Sequence, residues 1–468
     1  MAEKINAEEA RQKSAGELDY QENKQNNTET LTLSVPPSDP EDHLYDWNYP
    51  IRNIFRVAAG YYSFIICGMN DSSIGVLIPT LEPYYGLDYL LVSLAFLAPF
   101  IGYSIAALIS DKIHRLIGRC GVGIMGASCQ VICYIVVCTA PPFPVFVIMY
   151  GIAGFGNGSI DSTVNSWVGG LKHSNEALGL LHGCYGLGGT ICPAIFTAMI
   201  GHGIRWNHCY FLLIGMGATS ILAFASAFWG ETAVKYKQEV EKDVTNSMTE
   251  ERRGDIENSS HDVDTTVGEA SNDNKIMLRV VSDRLVWMLS ITLFVYLGAS
   301  VSFGGWISTF MIQVRHGAKD KMGYVTTGFW AGLTVGRMTL GFLVGHFQAE
   351  DYFVIFFILV SLASVLIVWL VPVLGVSVAF TIVFGIISGP VFPTIIASAL
   401  RKLPKYLHVA GVGFCVAVGG GGAALPPFIN GVIANKFGPR VLGPYTVILL
   451  SLMLVMWLLI LKLHPQRN

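Results

Sequence analysis

Apolar runs of about 20 residues recur along this chain at about 54–80, 89–110, 120–140, 144–168, 177–200 and 208–229. They resume near 284–312, 323–346, 352–372, 375–400, 407–434 and 443–463. A helix of about 20 residues is long enough to cross the roughly 30 Å of hydrocarbon in a bilayer. Each run therefore predicts a crossing helix, and the set predicts an all-α membrane protein with twelve transmembrane helices, six and six. Two stretches break the rhythm. Residues 1–50 are rich in Glu, Gln, Asn and Ser, and residues 231–282 mix charges without apolar periodicity. Neither buries enough surface to fold alone, so both are expected to be disordered, as a tail and a linker around bundles at 51–230 and 283–463. The tail has no basic stretch leading into an apolar core and is not a cleaved signal peptide.

Polar residues inside the apolar runs carry the chemistry. The stretch from Gly151 to Pro193 holds two apolar helices joined by the turn LKHSNEA. Asn157, Asp161 and Asn165 recur every four residues and form one stripe on one helical face. A carboxylate near the bilayer centre costs about 3 kcal/mol on insertion scales, so Asp161 must face protein or water. His182 and Tyr185 follow on the next helix, and the glycines between let backbones approach closely. This hairpin is expected to line a polar cavity. Asp71, within CGMNDSSIGVLIP of the first span, is a second intramembrane carboxylate, with Asn70 beside it as a candidate ligand. It reads as a ligand or proton site, or else as a polar tie between helices.

Composition agrees with the pattern. Of 468 residues, 52% are hydrophobic and 13% charged, where a soluble chain carries about 25% charged residues. The net charge of −3 says nothing of partners, and no basic patch large enough for nucleic acid lies outside the loops. Nine cysteines lie in or beside the spans without metal-ligand spacing, so they read as small core residues and no metal site is expected. No phosphate-binding GxxxxGK[ST], no HExxH and no nucleophile–base pair outside the spans is present, which excludes an enzyme, and no cofactor is expected. Lys and Arg favour the end that carries both termini, eleven against six, which places the termini and the linker in the cytoplasm.

The halves also look alike. At a spacing of 234 residues, Gly102 meets Gly336, Gly151 meets Gly385, Gly179 meets Gly413, Gly188 meets Gly422 and Pro193 meets Pro427. Matching points on matching spans predict two parallel six-helix repeats, with a site between them and alternating access by rocking.

With those features in place, the chain resembles the major facilitator superfamily from about 54 to 463. The stretch GYSIAALISDKIHRLIGR, Gly102 to Arg119, is similar to the family's loop between the second and third helices. Asp111, Lys112, Gly118 and Arg119 match its residue types, which implies that Asp111, Lys112 and Arg119 act as a conformational latch. Arg337, ending GFWAGLTVGR, is expected to be a latch in the second half. Within the superfamily, the fourth and fifth helices resemble the fucose permease-like branch of sugar–proton symporters, and the whole resembles fungal members of that branch. The resemblance implies Asp161 as proton carrier, and Asn165, His182 and Tyr185 as substrate hydrogen-bonders. Asp161 also admits a structural role or sodium coordination. Trp306, after Gly304 and Gly305, reads as an interface anchor or as a stacking platform for sugar C–H groups.

The expected function is proton-coupled uptake of a small polar solute, a monosaccharide above others, by a monomeric transporter at the plasma membrane. An internal organelle is the other location. Proton antiport exporting amphiphilic compounds and a non-transporting membrane sensor are the competing classes.

Overall fold

The computed structural model describes residues 46–241, 278–347, 349–404 and 407–464. The expected tail therefore lies almost wholly outside the described residues, as does the linker between 242 and 277. The described secondary structure is helical, with no strand among the described residues. The first half comprises α1 (Arg52–Tyr85), α2 (Tyr89–Cys138), α3 (Phe143–Gly169), α4 (Ser174–Gly201) and α5 (Tyr210–Ala227). The second comprises α6 (Arg284–Gln313), α7 (Gly323–Phe347), α8 (Glu350–Leu370), α9 (Leu374–Ser388), α10 (Val391–Lys402), α11 (His408–Gly422), α12 (Leu425–Phe437) and α13 (Leu442–Leu463).

Local chemistry sets several of these ends. The Asp88 carboxylate accepts from the Leu91 amide at 2.9 Å and starts α2. Asp283 caps α6 in the same way, accepting from Leu285 and Val286. Gly86 closes α1 in the left-handed conformation (φ 62°), where a side chain would be strained.

Among the described residues, ten helices are long and apolar enough to cross a membrane. One of them, α2, has 50 residues and turns at Gly118 (φ 70°, ψ 173°), so it holds two crossings. With α7, which carries Arg337 and is less apolar, the crossings number twelve. Two predicted spans are broken. The span expected at 375–400 is interrupted at Gly389–Pro390, and the one at 407–434 at Ala423–Ala424, just before the proline pair Pro426 and Pro427.

The repeat is visible in how the helices touch. A methyl placed on Gly102 would stand 1.9 Å from the Gly151 carbonyl oxygen, and one on Gly336 would stand 1.8 Å from that of Ile386. A methyl on Gly188 would stand 1.9 Å from the Ile65 oxygen, and one on Gly422 would stand 2.0 Å from the Phe294 oxygen. Thus α2 packs on α3 as α7 packs on α9, and α4 on α1 as α11 on α6. Only glycine allows these backbone approaches.

The expectation of disorder across 231–282 fails at its first residues. Residues 233–241 are helical, and Glu231 is 2% exposed inside a cluster of cations. Charge-mixed sequence reads as solvated unless its partners, here Arg56 and Arg119 on distant helices, are known.

Between the halves, the seam is closed at one end and open at the other. At the closed end, a methyl on Gly75 would stand 2.9 Å from the Gly305 Cα, and one on Gly431 would stand 2.3 Å from the Ser93 Cβ. Gln313 donates to the Tyr89 hydroxyl, and Asn435 donates to Asp88 at 3.2 Å. At the other end, methyls on Gly179, Gly183, Gly413 and Gly420 would meet nothing within 4 Å. Gly179 and Gly413 are repeat partners, so both halves turn the same face to this opening.

Candidate functional site

Two carboxylate clusters lie in the first half beside the seam. Asp71 on α1 accepts from its neighbour Asn70 at 3.0 Å, from Asn157 on α3 at 3.0 Å and from the Tyr185 hydroxyl on α4 at 2.7 Å. Asn157 is 7% exposed and is itself held by Gln130, whose amide donates to its oxygen at 2.7 Å. Asp161 on α3 accepts from Asn165 at 2.9 Å, one turn along the same face, and from the Tyr103 hydroxyl on α2 at 2.6 Å. The two carboxylates stand close enough to repel each other. Among the described residues no cation pairs with either one. All of their hydrogen-bond donors are neutral.

His182 lies one turn before Tyr185 on α4, on the face turned to the open part of the seam, with its ring edge-on to Phe64 at 5.7 Å. Arg337 on α7 stands near enough to His182 and Tyr185 to act on both electrostatically, and it donates to the Gly389 carbonyl at 3.3 Å. It lies within its helix rather than in a loop. By repeat spacing its counterpart is Tyr103 and not the Asp111–Arg119 loop.

The structure therefore gathers Asn70, Asp71, Asn157 and Tyr185 into one cluster and Asp161 with Asn165 into the next. The stripe on α3 divides, because Asn157 turns toward α1. Trp306 joins neither cluster. It is 1% exposed at the closed end, donates to the Pro427 carbonyl at 3.1 Å and meets Tyr89 edge-on. In the state described, the indole is enclosed between the halves and faces neither a solute nor the bilayer surface. The aromatic ring beside Asp71 is instead Trp330 on α7. It lines, with Phe96, Gly75 and Gly305, a cavity of about 10 Å³, near the lower limit for one water. Tyr103, Gln130 and Trp330 were missed by sequence reasoning. The signal available for Tyr103 was its place one residue after Gly102, the glycine that brings α2 against α3.

The expected latch is only partly a latch. Asp111 pairs with Arg115 at 2.8 Å and receives the Tyr236 hydroxyl at 3.4 Å, so it stays within the first half. It does not reach across the seam, which is parted at this end. Lys112 is exposed. Arg119 does tie its loop: it binds Glu231 at 3.3 Å and also Glu239, and Glu231 holds Arg56 at 2.9 Å and Lys235 at 2.7 Å. Burial pushes the Glu231 carboxyl up, but the hydrogen bond and charge of Lys235, then Arg56 and Arg119, outweigh it and hold the carboxyl below its ordinary value.

Twelve crossings in two like halves, closed at one end over half-buried carboxylates, are the architecture of an integral membrane transporter. Residues 61–427 match the family model described as Major Facilitator Superfamily. The chain belongs to that family. It is 31% identical over 428 residues to "Bypass of stop codon protein 6" of Saccharomyces cerevisiae, covering 89% of this chain and 84% of that one. It is 21% identical over 389 residues to "Glucose/mannose transporter GlcP" of Bacillus subtilis, covering 81% and 87%. Its fold matches the crystal structure of a bacterial homologue of the human lysosomal transporter Spinster, in an inward-facing, unoccupied conformation. There the TM-score is 0.65 at 12% identity, over 90% of this chain and 99% of that one.

Proposed function

We propose that this protein carries out proton-coupled uptake of a small neutral polyhydroxylated solute, a monosaccharide, by alternating access. The observation that supports this most is that Asp71 and Asp161 lie half-buried within the spans, with neutral hydrogen-bond donors only among the described residues. A charge kept from water without a cation is costly, and a proton removes that cost. Protonation then frees Tyr103, Asn165, Tyr185 and the asparagines to reorient toward a solute. Such hydroxyl and amide groups suit sugar hydroxyls, which both donate and accept. His182, at the open face, adds a group that does the same. The glucose and mannose named for the Bacillus subtilis relative favour this substrate class over amphiphiles, and so does the resemblance to the fucose permease-like branch.

In this reading the open end faces the cytoplasm. The excess of Lys and Arg lies there, including Arg56, Arg119, Arg401 and Lys402, and it puts both termini on that side. The state described is then inward-open. We place the protein at the plasma membrane as a monomer, with protons as the coupling ion.

The test uses purified protein in liposomes with acid outside and radiolabelled glucose, galactose or mannose. The native chain is expected to concentrate one of these sugars above the external level. Asp161→Asn should still exchange sugar across the membrane without concentrating it. Concentration by that variant would remove Asp161 from proton coupling.

A further inference from the structure

Arg337 lies where α4 and α7 part. The two helices run antiparallel and touch from the closed end inward. Methyls on Gly323, Gly189 and Gly186 would stand 1.9 Å from Thr197, 3.4 Å from Trp330 and 2.5 Å from Thr334. The next step of that register sets Arg337 beside Gly183, where a methyl would meet nothing within 4 Å. The half-buried Arg337 side chain is therefore at the inner limit of the opening between the halves.

A proline sets its direction. Pro393 has no amide hydrogen to give the Gly389 carbonyl four residues earlier. The Arg337 Nε–H donates there instead, at 3.3 Å, and the neighbouring Tyr296 hydroxyl donates to the Ser388 carbonyl at 2.7 Å. With Nε anchored, the paired N–H groups at the tip of the fork remain, and their spacing matches the two oxygens of a carboxylate. Among the described residues no carboxylate forms an ion pair with Arg337. A cation at this depth is costly without a counter-charge.

Asp71 and Asp161 do not supply one. Tyr185 stands between, donating to Asp71 at 2.7 Å and lying in the field of Arg337. The other titratable neighbours are Cys67, Tyr103 and Tyr134 around the carboxylates, and His182 and Tyr296 around Arg337. The thiol and the phenols are ordinarily neutral below about pH 8. Two carboxylates and one guanidinium thus leave a net negative charge when both aspartates are ionised and a net positive one when both carry protons. A proton on His182 adds to the positive side.

We propose that the opening takes a second class of solute, hydroxylated monocarboxylates such as aldonates and uronates, whose carboxylate pairs with Arg337 while their hydroxyls meet His182 and Tyr185. Protons on the aspartates then favour the anion, and the anion favours the protons. The inference rests on the proton loading of Asp71 and Asp161 proposed above, and not on the neutral sugar.

The test is equilibrium dialysis of the purified full chain against radiolabelled gluconate and glucuronate, with glucose, galactose and mannose alongside, at neutral pH and in mild acid. The native chain is expected to bind one of the two acids about tenfold more tightly in mild acid, with the preferred sugar displacing it. Arg337→Met should weaken the acid by about tenfold or more and the sugar by only severalfold. Arg337→Lys keeps the charge and loses the fork, so it should lie between. A role confined to packing would weaken acid and sugar alike, and that result would overturn the proposal. So would a native affinity for the acid that does not change with pH, a measurement that needs no variant to fold. Binding of a sugar without either acid would overturn this inference and spare the neutral-sugar reading. Binding of an acid without any of the three sugars would do the reverse, and binding of none would overturn both.

Discussion

The two halves share a scaffold and differ in what they place on it. At the repeat spacing, Asn157, Asp161 and Asn165 of the first half correspond to Val391, Ile395 and Ala399 of the second, and those three apolar residues are buried. His182 corresponds to Val416 and Tyr185 to Gly419. On α1 and α6 the Ile65 and Phe294 carbonyls take the same place, so Asp71 corresponds to Ser300, whose buried hydroxyl has no partner. Both halves therefore supply the mechanics, in glycine approaches of nearly identical geometry. The carboxylate chemistry sits in the first half. The second half brings apolar surface, Trp330 and a single deep cation among its described spans, Arg337. A rocking transporter needs matched hinges but only one charged site, and the sequence of each half follows that division.

The largest effect should come from erasing the difference. Coupling between two bound species is worth about 1–3 kcal/mol, or about 5–150-fold in affinity. Asp71→Asn should remove it, and sugar in liposomes should equilibrate without accumulating. Adding Ser300→Asp to Asp71→Asn moves the carboxylate to the matching place in the second half. Accumulation should stay lost, because Tyr185 and Asn157 do not surround Ser300. Recovery in that double variant would show that the halves are interchangeable and break the comparison.

The rims, by contrast, are alike in design. Glu231 holds Arg56, Arg119 and Lys235 in the first half. In the second, Asp351 accepts from Lys402 and from Ser398, each at 2.7 Å, and Glu350 binds Arg401 at 2.7 Å. Glu231→Gln leaves two partly buried arginines short of a counter-charge and should cost roughly 2–3 kcal/mol, read as a lower melting temperature of the purified protein. The sign with pH follows from the depressed Glu231 carboxyl. Its contribution is fully present above the ordinary carboxyl range and is lost as pH falls through the lower folded value. Below neutrality, the native melting temperature should drop more steeply than that of Glu231→Gln.

Much of the scaffold was legible in the chain. Runs of about 20 apolar residues leave little alternative to spanning helices, and two of the glycine pairs at one spacing, Gly102 with Gly336 and Gly188 with Gly422, marked contacts that the structure makes in both halves. The polar positions were legible as costly residues, since an aspartate among apolar neighbours needs a reason. Their partners were not. Asn157 and Asp161 share a helical face, yet rotation of α3 against α1 gives Asn157 to Asp71, and no spacing within one helix encodes that. Trp306 followed two glycines into a seam that only the docking of two halves creates. Glu231 looked solvated because its cations lie 175 and 112 residues earlier in the chain.

Smaller and equal effects should follow from the shared mechanics. Gly188→Ala and Gly422→Ala each set a methyl about 2 Å from a backbone oxygen, so helices must part, at about 1–3 kcal/mol apiece. The melting temperatures of the two variants should fall by similar amounts. A large inequality would mean that one half bears the packing for both.

The finest distinction lies at Tyr103 and Arg337, repeat partners that both reach toward the site. The Tyr103 hydroxyl donates to Asp161 at 2.6 Å, while Asn165 supplies the other donor. Tyr103→Phe removes one hydrogen bond and keeps the ring, so the expected cost is about 1 kcal/mol, or about fivefold in apparent sugar affinity. Accumulation itself should persist, because Asp71 and Asp161 both remain. Among the described residues Arg337 has no carboxylate to hold and instead acts across the seam on His182 and Tyr185, so Arg337→Met should alter the half that binds rather than the half it belongs to. Its measure is sugar protection of a single cysteine at Leu180, exposed on α4 two residues before His182. Protection should weaken in Arg337→Met and survive in Tyr103→Phe. The reverse pattern would place the cation's role within its own half, and the division of labour between the repeats would have to be redrawn.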